Sequence, residues 1–259
     1  MTTPFARPRA NAVRPSPVFL GVIAITVAGA VIAWNAELNS VLAHVGVFVL
    51  VVAGWVVTLC LHEFAHAYTA YRAGDHEVEM RGYLTLNPFK YSHPMLSIGL
   101  PILFIAIGGI GLPGGAVYVH SHRFDTRTQR LISLAGPAVN AVTAVILLIV
   151  IRTFGSGLEH AAFWYGLSFL AFLQITATVL NLLPVPGLDG FGALEPSLAP
   201  QTRNKLAQYA PYGLLAVMAL LFVPFLNTAF FDAIYWLFEL SGVPQIWSQY
   251  GGVLTQFWR

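Results

Sequence analysis

The chain has very little charge for its length. Only 9% of its 259 residues are Asp, Glu, Lys or Arg, whereas 57% are hydrophobic. A soluble domain carries about 25% charged residues, so this composition cannot cover a water-facing surface. Intrinsic disorder is excluded as well, since disordered chains contain few hydrophobic residues. The composition therefore predicts an integral membrane protein.

The chain also has few cysteines and a small net charge, and each of these excludes a feature. A single cysteine, Cys60, excludes an internal disulfide, and its place inside an apolar run is typical of a packing residue. The net charge is +2 and the basic residues are scattered, so no basic patch marks a nucleic-acid surface. Nucleic acid is not an expected partner.

Long apolar runs are candidate membrane spans, because a helix needs about 20 residues to cross the hydrocarbon. The runs lie at 18–33, 45–61, 131–151, 161–183 and 206–226. The first could also be a signal peptide, but we expect it to be retained after a flexible N-terminal tail at 1–17. A shorter run, 230–240, contains Asp232 and Glu239, and we expect it to lie at the membrane surface.

Basic residues in the loops predict the orientation, since Lys and Arg concentrate on the cytoplasmic side. The first three basic clusters are Arg7, Arg9 and Arg14, then Arg72, Arg81 and Lys90, then Arg123, Arg127 and Arg130. The first cluster places the N-terminus in the cytoplasm. The other two can both be cytoplasmic only if the apolar segment 94–113, which Pro101 and several glycines interrupt, is a re-entrant hairpin.

Polarity alternates from residue 77 to residue 87, which is the periodicity of a β-strand. The expected fold is therefore an all-α polytopic membrane protein with about five to six transmembrane helices. It would also contain the re-entrant hairpin and a short β segment after the second helix.

A pair of histidines carries the strongest chemical signal. His62 and His66 are four residues apart at the end of the second apolar run, so on a helix they share one face. Two imidazoles in this arrangement can bind one Zn²⁺, and Glu63 beside the first can take a proton from the attacking water. A polar cluster between helices is the alternative interpretation. It gives no reason for the four-residue spacing.

A catalytic zinc needs a third protein ligand. Asp189 is the best candidate, because it follows the fifth run in a segment that Pro184, Pro186 and Gly187 make irregular. It could equally be an ordinary turn residue. Glu159, Glu195 and Glu239 are the other downstream carboxylates that we considered, and they lie outside the strong spans.

Taken together, these motifs resemble the site-2 proteases, zinc metalloproteases that cut inside the membrane. His62-Glu63-x-x-His66 is similar to their first signature, and 181–190, with its Leu-Asp-Gly core, is similar to their second. The segment 82–90 resembles that of compact prokaryotic members without accessory domains, and Gly136-Pro137-x-x-Asn140 resembles the motif of an intervening core helix.

The resemblance implies one Zn²⁺ per chain, held by His62, His66 and Asp189, with Glu63 as general base. Asn140 would contact the substrate or the developing oxyanion, although a helix-packing hydrogen bond is equally compatible with the sequence. A single transmembrane metalloprotease domain would cover 18–240, with a catalytic core at about 45–190 and a C-terminal tail at 241–259.

The implied partners are membrane lipids and a transmembrane protein substrate, such as a membrane-bound regulatory protein. The implied location is a prokaryotic plasma membrane, with the active site nearer the cytoplasmic side. Three alternatives stay open. One is a catalytically inactive membrane scaffold of the same fold, and another is an ion-coupled transporter whose His and Asp side chains relay ions. The third is a membrane-embedded zinc protease of the prenyl-protein type, in which a downstream Glu would be the third ligand.

Overall fold

The computed structural model describes residues 12–91, 123–209 and 212–256, and all regular elements in these ranges are helical. The α-helices are α1 (Pro17–Asn35), α2 (Val41–Ala73), α3 (Glu77–Met80), α4 (Thr126–Phe154), α5 (Ala161–Asn181), α6 (Asp189–Leu194), α7 (Pro200–Ala207), α8 (Gly213–Phe222), α9 (Pro224–Glu239) and α10 (Gln245–Leu254). Single 3-10 turns lie at Tyr83–Thr85, Pro88–Lys90 and Glu195–Ser197. The expected hairpin at 94–113 lies outside the described residues.

Four of these helices, α1, α2, α4 and α5, are long and apolar enough to cross a membrane. A fifth span is possible only if α8 and α9 are counted together, and these two are bent by 87°. The run at 206–226 is therefore not one straight helix, because Pro224 lacks the N–H that would continue α8 and instead begins α9. The chain is a membrane protein, but the expected count of five to six spans is not confirmed.

Helix α5 forms the centre of the bundle. In its most apolar 18-residue window 83% of the residues are buried, against 17% in α1. It packs against α2, α4, α9 and α10, and Ala162, Leu173 and Leu180 on it are fully buried. Protein therefore surrounds α5, while α1 packs along α2 and leaves most of its surface for lipid.

Helix α2 extends beyond the apolar run that predicted it. Ser40 caps its start by accepting a hydrogen bond from the N–H of Ala43 at 3.2 Å, and Gly74 ends it in the left-handed conformation with φ 112°. Its 33 residues make a helix about 50 Å long, well above the roughly 30 Å of bilayer hydrocarbon. The histidine pair lies in the second half of this helix, as the sequence predicts.

The short β segment predicted at 77–87 is wrong. Residues Glu77–Met80 form α3 and Tyr83–Thr85 form a 3-10 turn. The Asp75 carboxylate accepts a hydrogen bond from the N–H of Glu77 at 3.1 Å, which favours a helical start. Gly82 and Leu86 then adopt positive φ values of 78° and 56°, which end any extended run.

This segment nevertheless packs tightly against α2. Val78 and Leu84 are buried, and the hydroxyl of Tyr91 donates a hydrogen bond to the carbonyl oxygen of Cys60 at 3.1 Å. Met80, which strand periodicity places on the same face as Val78 and Leu84, is 79% exposed. The alternation of polarity therefore arises from residues buried in successive short turns and not from one face of a strand.

Candidate metal centre

His62 and His66 project from one face of α2 into the protein interior. Their side chains are buried, and their Nε2 atoms are 3.1 Å apart. The ring centroids are 4.7 Å apart and the ring planes are inclined by 77°. Both lone pairs can therefore point at one ion between the rings.

Asp189 meets the pair from a distant part of the chain. Its Oδ2 lies 3.3 Å from Nε2 of His62, and its Oδ1 lies 3.4 Å from Nε2 of His66. Four ligands around one zinc at about 2.0–2.1 Å lie about 3.3 Å from one another, so these distances suit three corners of a tetrahedron. Within the described residues, this is the group of His, Cys, Asp and Glu side chains that fits a metal ion.

The chain between α5 and α6 explains how Asp189 reaches this position. Helix α5 ends at Asn181, and Gly187 turns the chain with a φ of 98° before α6 begins at Asp189 itself. A Cβ on Gly190 would lie 2.2 Å from the carbonyl oxygen of Leu182, so only glycine allows the end of α5 and the start of α6 to approach so closely. Gly190 therefore allows the tight turn that brings Asp189 to the histidine pair.

The charge on Asp189 suits a cation site. Burial alone would raise its pKa, but the nearby imidazoles of His66 and His62, with their hydrogen bonds, hold the pKa of this carboxyl well below its usual range. An ionised carboxylate is the form that binds a metal ion.

Helix α4 supplies a partner for the other nitrogen of each imidazole. Nδ1 of His66 donates to the carbonyl oxygen of Ile132 at 2.7 Å, and Nδ1 of His62 lies 3.1 Å from the amide nitrogen of buried Asn140. Such outer partners fix the ring orientation and the tautomer of metal-binding histidines. The sequence identifies Asn140 as a site residue, but it gives no signal for Ile132, because the group involved is a backbone carbonyl.

Gly136 leaves the room that the two imidazoles occupy. A Cβ built on this residue would lie 2.2 Å from Nε2 of His66 and 2.6 Å from Nε2 of His62. Any side chain here would take the space beside both nitrogens. The cradle and the donor set therefore fit a zinc ion, since two neutral imidazole nitrogens and a carboxylate are its usual ligands.

Glu63 is buried beside this centre. It is 2% exposed and follows His62 directly in α2. Burial raises the pKa of Tyr91, and the nearby Cys60 and Glu63 raise it further. A buried carboxylate next to a metal ligand is the group that sequence analysis identifies as the general base.

The other carboxylates considered as a third ligand lie elsewhere. Glu195 pairs with Arg203, whose Nε lies 2.8 Å from its Oε1. Glu159 is exposed in the loop between α4 and α5, and Glu239 is exposed at the end of α9. Of the four candidates, only Asp189 shares a centre with the histidine pair.

Comparison with known proteins identifies close relatives. The chain is 58% identical over 253 residues to a protein of Mycolicibacterium smegmatis named "Putative zinc metalloprotease Rip2", and the match covers 97% of both chains. It is 56% identical over 249 residues to the protein of the same name in Mycobacterium tuberculosis, with 96% of both chains covered.

A more distant relative is YwhC of Bacillus subtilis, which carries the same zinc metalloprotease description. It is 33% identical over 180 residues, or 65% of this chain and 78% of YwhC. No protein-family description matches the chain, and no solved structure matches it.

Proposed function

Because this chain belongs to the site-2 protease family of zinc metalloproteases, we propose that it hydrolyses peptide bonds in or beside transmembrane segments of other membrane proteins. One observation carries the proposal. The three proposed ligand side chains come together inside a bundle of apolar helices, and two of them, His62 and His66, lie on a helix that is itself apolar enough to span a membrane. Ionisable groups are costly in that environment and therefore usually mark function.

The proposed metal ligands are Nε2 of His62, Nε2 of His66 and the carboxylate of Asp189. A zinc ion bound there supplies a Lewis acid that polarises the scissile carbonyl and lowers the pKa of a water molecule to about 7. Three protein ligands leave one position open for chemistry, as catalytic zinc sites require.

Glu63 is proposed to move the proton. Its carboxylate takes a proton from the attacking water as the water oxygen forms the new C–O bond, and the C–N bond breaks when the carboxylate delivers that proton to the nitrogen of the leaving amine. General acid–base catalysis of this kind contributes typically about 10²–10⁴-fold to the rate. Burial keeps the carboxylate away from bulk water.

The packing of the helices supports the proposed orientation. The second half of α2 meets the first half of α4 through His66 and Ile132, and it meets the start of α6, just after α5, through His62 and Asp189. The chain therefore leaves α2 and enters α4 on one side, which supports placing both of those basic loops in the cytoplasm. We propose a cytoplasmic N-terminus and a site about 10–15 Å of helix above Arg72, nearer the cytoplasmic face of a prokaryotic plasma membrane.

The substrate is proposed to be a transmembrane protein, with single-span regulatory proteins as the leading class. A substrate helix must unwind locally before hydrolysis, because helical hydrogen bonding occupies its carbonyl groups. Lipid contacts the exposed apolar surfaces of the spans. The substrate class follows from the family resemblance, and no side chain of the described residues selects one member of it.

The experiment that tests the proposal uses Glu63→Gln, which keeps the shape of the side chain and removes its basicity. The matched control is Glu159→Gln, because Glu159 is a glutamate in an exposed loop far from the centre. Zinc per chain is measured on the purified proteins in detergent. Membrane proteomes of cells carrying each form are compared by quantitative mass spectrometry, and each protein that accumulates with Glu63→Gln is then tested as a purified substrate.

We expect Glu63→Gln to retain zinc and to lose cleavage by at least about 10²-fold, with Glu159→Gln like the wild type. A Glu63→Gln proteome identical to the wild type, with no cleavage by either form, would favour the inactive scaffold. Ion flux through both forms in liposomes, without cleavage, would favour the transporter. Either outcome would overturn the proposed function.

A further inference from the structure

Asn140 on α4 contacts the ring of His62 on α2 through the nitrogen that does not face Asp189. Its amide is 5% exposed, and the partner that the structure gives it is Nδ1 of His62 at 3.1 Å. Nδ1 and Nε2 are on different sides of an imidazole ring. The amide therefore stands behind the ring of His62, on the side away from Asp189, which lies 3.3 Å from Nε2.

Binding a metal through Nε2 fixes what Nδ1 must do. With Nε2 as ligand, Nδ1 carries the proton of the neutral ring and needs an acceptor. A buried N–H without an acceptor is unfavourable, because it has lost its hydrogen bonds to water. A half-turn of the Asn140 amide exchanges its nitrogen and oxygen in the same volume, so that Oδ1 can accept this hydrogen bond.

His66 has the same arrangement with a different group. Its Nδ1 donates to the backbone carbonyl of Ile132, one turn from the start of the Gly136-Pro137-x-x-Asn140 motif. Helix α4 thus supports both imidazoles from behind. Only the support for His62 comes from a side chain, so it is the one that a substitution can remove.

We propose that Asn140 is a positioning residue that holds the ring of His62 with Nε2 toward the metal, and that it does not contact the substrate oxyanion. The proposal rests on the proposed zinc site and deepens it. Loss of such outer partners typically lowers metal affinity about 10–100-fold, whereas loss of an oxyanion donor lowers the rate and leaves metal affinity unchanged.

The test measures zinc affinity of the full chain in detergent, by competition with a chromophoric chelator, for wild type and variants. Asn140→Ala removes the acceptor, and Asn140→Asp restores one. The matched control is Gln129→Ala, because Gln129 is another buried amide on α4 and donates to the carbonyl oxygen of Phe124 at 2.7 Å, away from the metal centre. Melting of each protein with excess chelator checks the fold without metal.

We expect Asn140→Ala to bind zinc about 10–100-fold more weakly, and Asn140→Asp to bind within a few-fold of wild type or more tightly. Gln129→Ala should bind like the wild type. If Asn140→Ala fails to fold, Asn140→Leu, the branched apolar counterpart, takes its place in the comparison with Asn140→Asp.

Unchanged zinc affinity in Asn140→Ala, combined with a lower kcat for cleavage, would overturn the positioning role and restore the oxyanion role. Equal weakening in Asn140→Asp and Asn140→Ala would also overturn it, because the aspartate provides an acceptor. Failure of the wild type to bind zinc would instead overturn the proposed metal site itself. The two failures are therefore distinguishable.

Discussion

Replacing Gly136 with alanine should remove zinc from the protein while the helix bundle stays folded. The added methyl carbon would lie 2.2 Å from Nε2 of His66 and 2.6 Å from both Nε2 and Cε1 of His62. Ordinary contact between such atoms needs about 3.5 Å, so the methyl overlaps each ring by roughly 1 Å. Neither ring can turn away freely, since each Nδ1 is already bonded to α4.

The size of the effect follows from these distances. Accommodating the methyl means moving α4 away from α2, at a cost of about 1–3 kcal/mol for an overpacked site, or swinging both imidazoles out of line. Each movement separates two ligands from the third. We expect zinc affinity to fall at least 100-fold, which corresponds to about 2.8 kcal/mol at about 1.4 kcal/mol per tenfold.

The assay compares zinc per chain, by elemental analysis after dialysis against a chelator, with the melting temperature of the metal-free protein. Gly21→Ala is the matched control, because Gly21 lies on α1 and a Cβ there would meet nothing within 4 Å. It should keep wild-type zinc and wild-type cleavage. Wild-type zinc affinity in Gly136→Ala would refute the reasoning, because it would mean that the space beside the two nitrogens is not where the metal binds.

Three further substitutions test the third ligand and the helix packing. Asp189→Ala should lower the zinc affinity by more than the roughly 10–100-fold expected for the loss of an outer partner. Glu195→Ala should keep its zinc, because Glu195 is paired with Arg203. Elemental analysis of both purified variants checks this, and loss of zinc in Glu195→Ala alone would point to a different third ligand. Gln174→Leu removes the hydrogen bond from the amide nitrogen of Gln174 to the hydroxyl of Thr58 at 2.8 Å, and it also removes an amide oxygen that has no hydrogen-bond partner in the described part of the chain. Interhelical hydrogen bonds of this kind contribute about 0.6 kcal/mol on average. We therefore expect the melting temperature to shift by at most about 2–4 °C and the zinc content to stay unchanged. A larger fall in melting temperature would show that the Gln174–Thr58 pair stabilises the fold more than one such hydrogen bond does.

The sequence predicts which side chains meet at this centre better than it predicts their surroundings. The spacing of His62 and His66 depends only on helix periodicity, and the irregular segment before Asp189 depends on proline and glycine chemistry, so both can be read locally. The partners behind the rings cannot. Ile132 contributes a backbone carbonyl that any residue carries, and the direction of the Asn140 amide depends on how α4 packs against α2.

The error at 77–87 has a different cause. Alternating polarity predicts a strand, but a strand also needs a partner strand, and the described residues supply none. Val78 and Leu84 are buried by successive short turns against α2, and the cap from Asp75 with the positive φ of Gly82 decides the local conformation. Over so few residues, a periodic pattern alone does not distinguish a strand from packed turns.

The centre described above has a consequence for synthesis on the ribosome. Its ligands are contributed by α2 and by the start of α6, and its supports by α4, so a nascent chain that has made only the first two helices carries both histidines and still lacks an essential part. At roughly 5–20 residues per second, the remaining stretch takes many seconds to emerge. On the proposed ligand set, the metal site is incomplete during that interval, and it is completed only when the late segment folds back onto the early one.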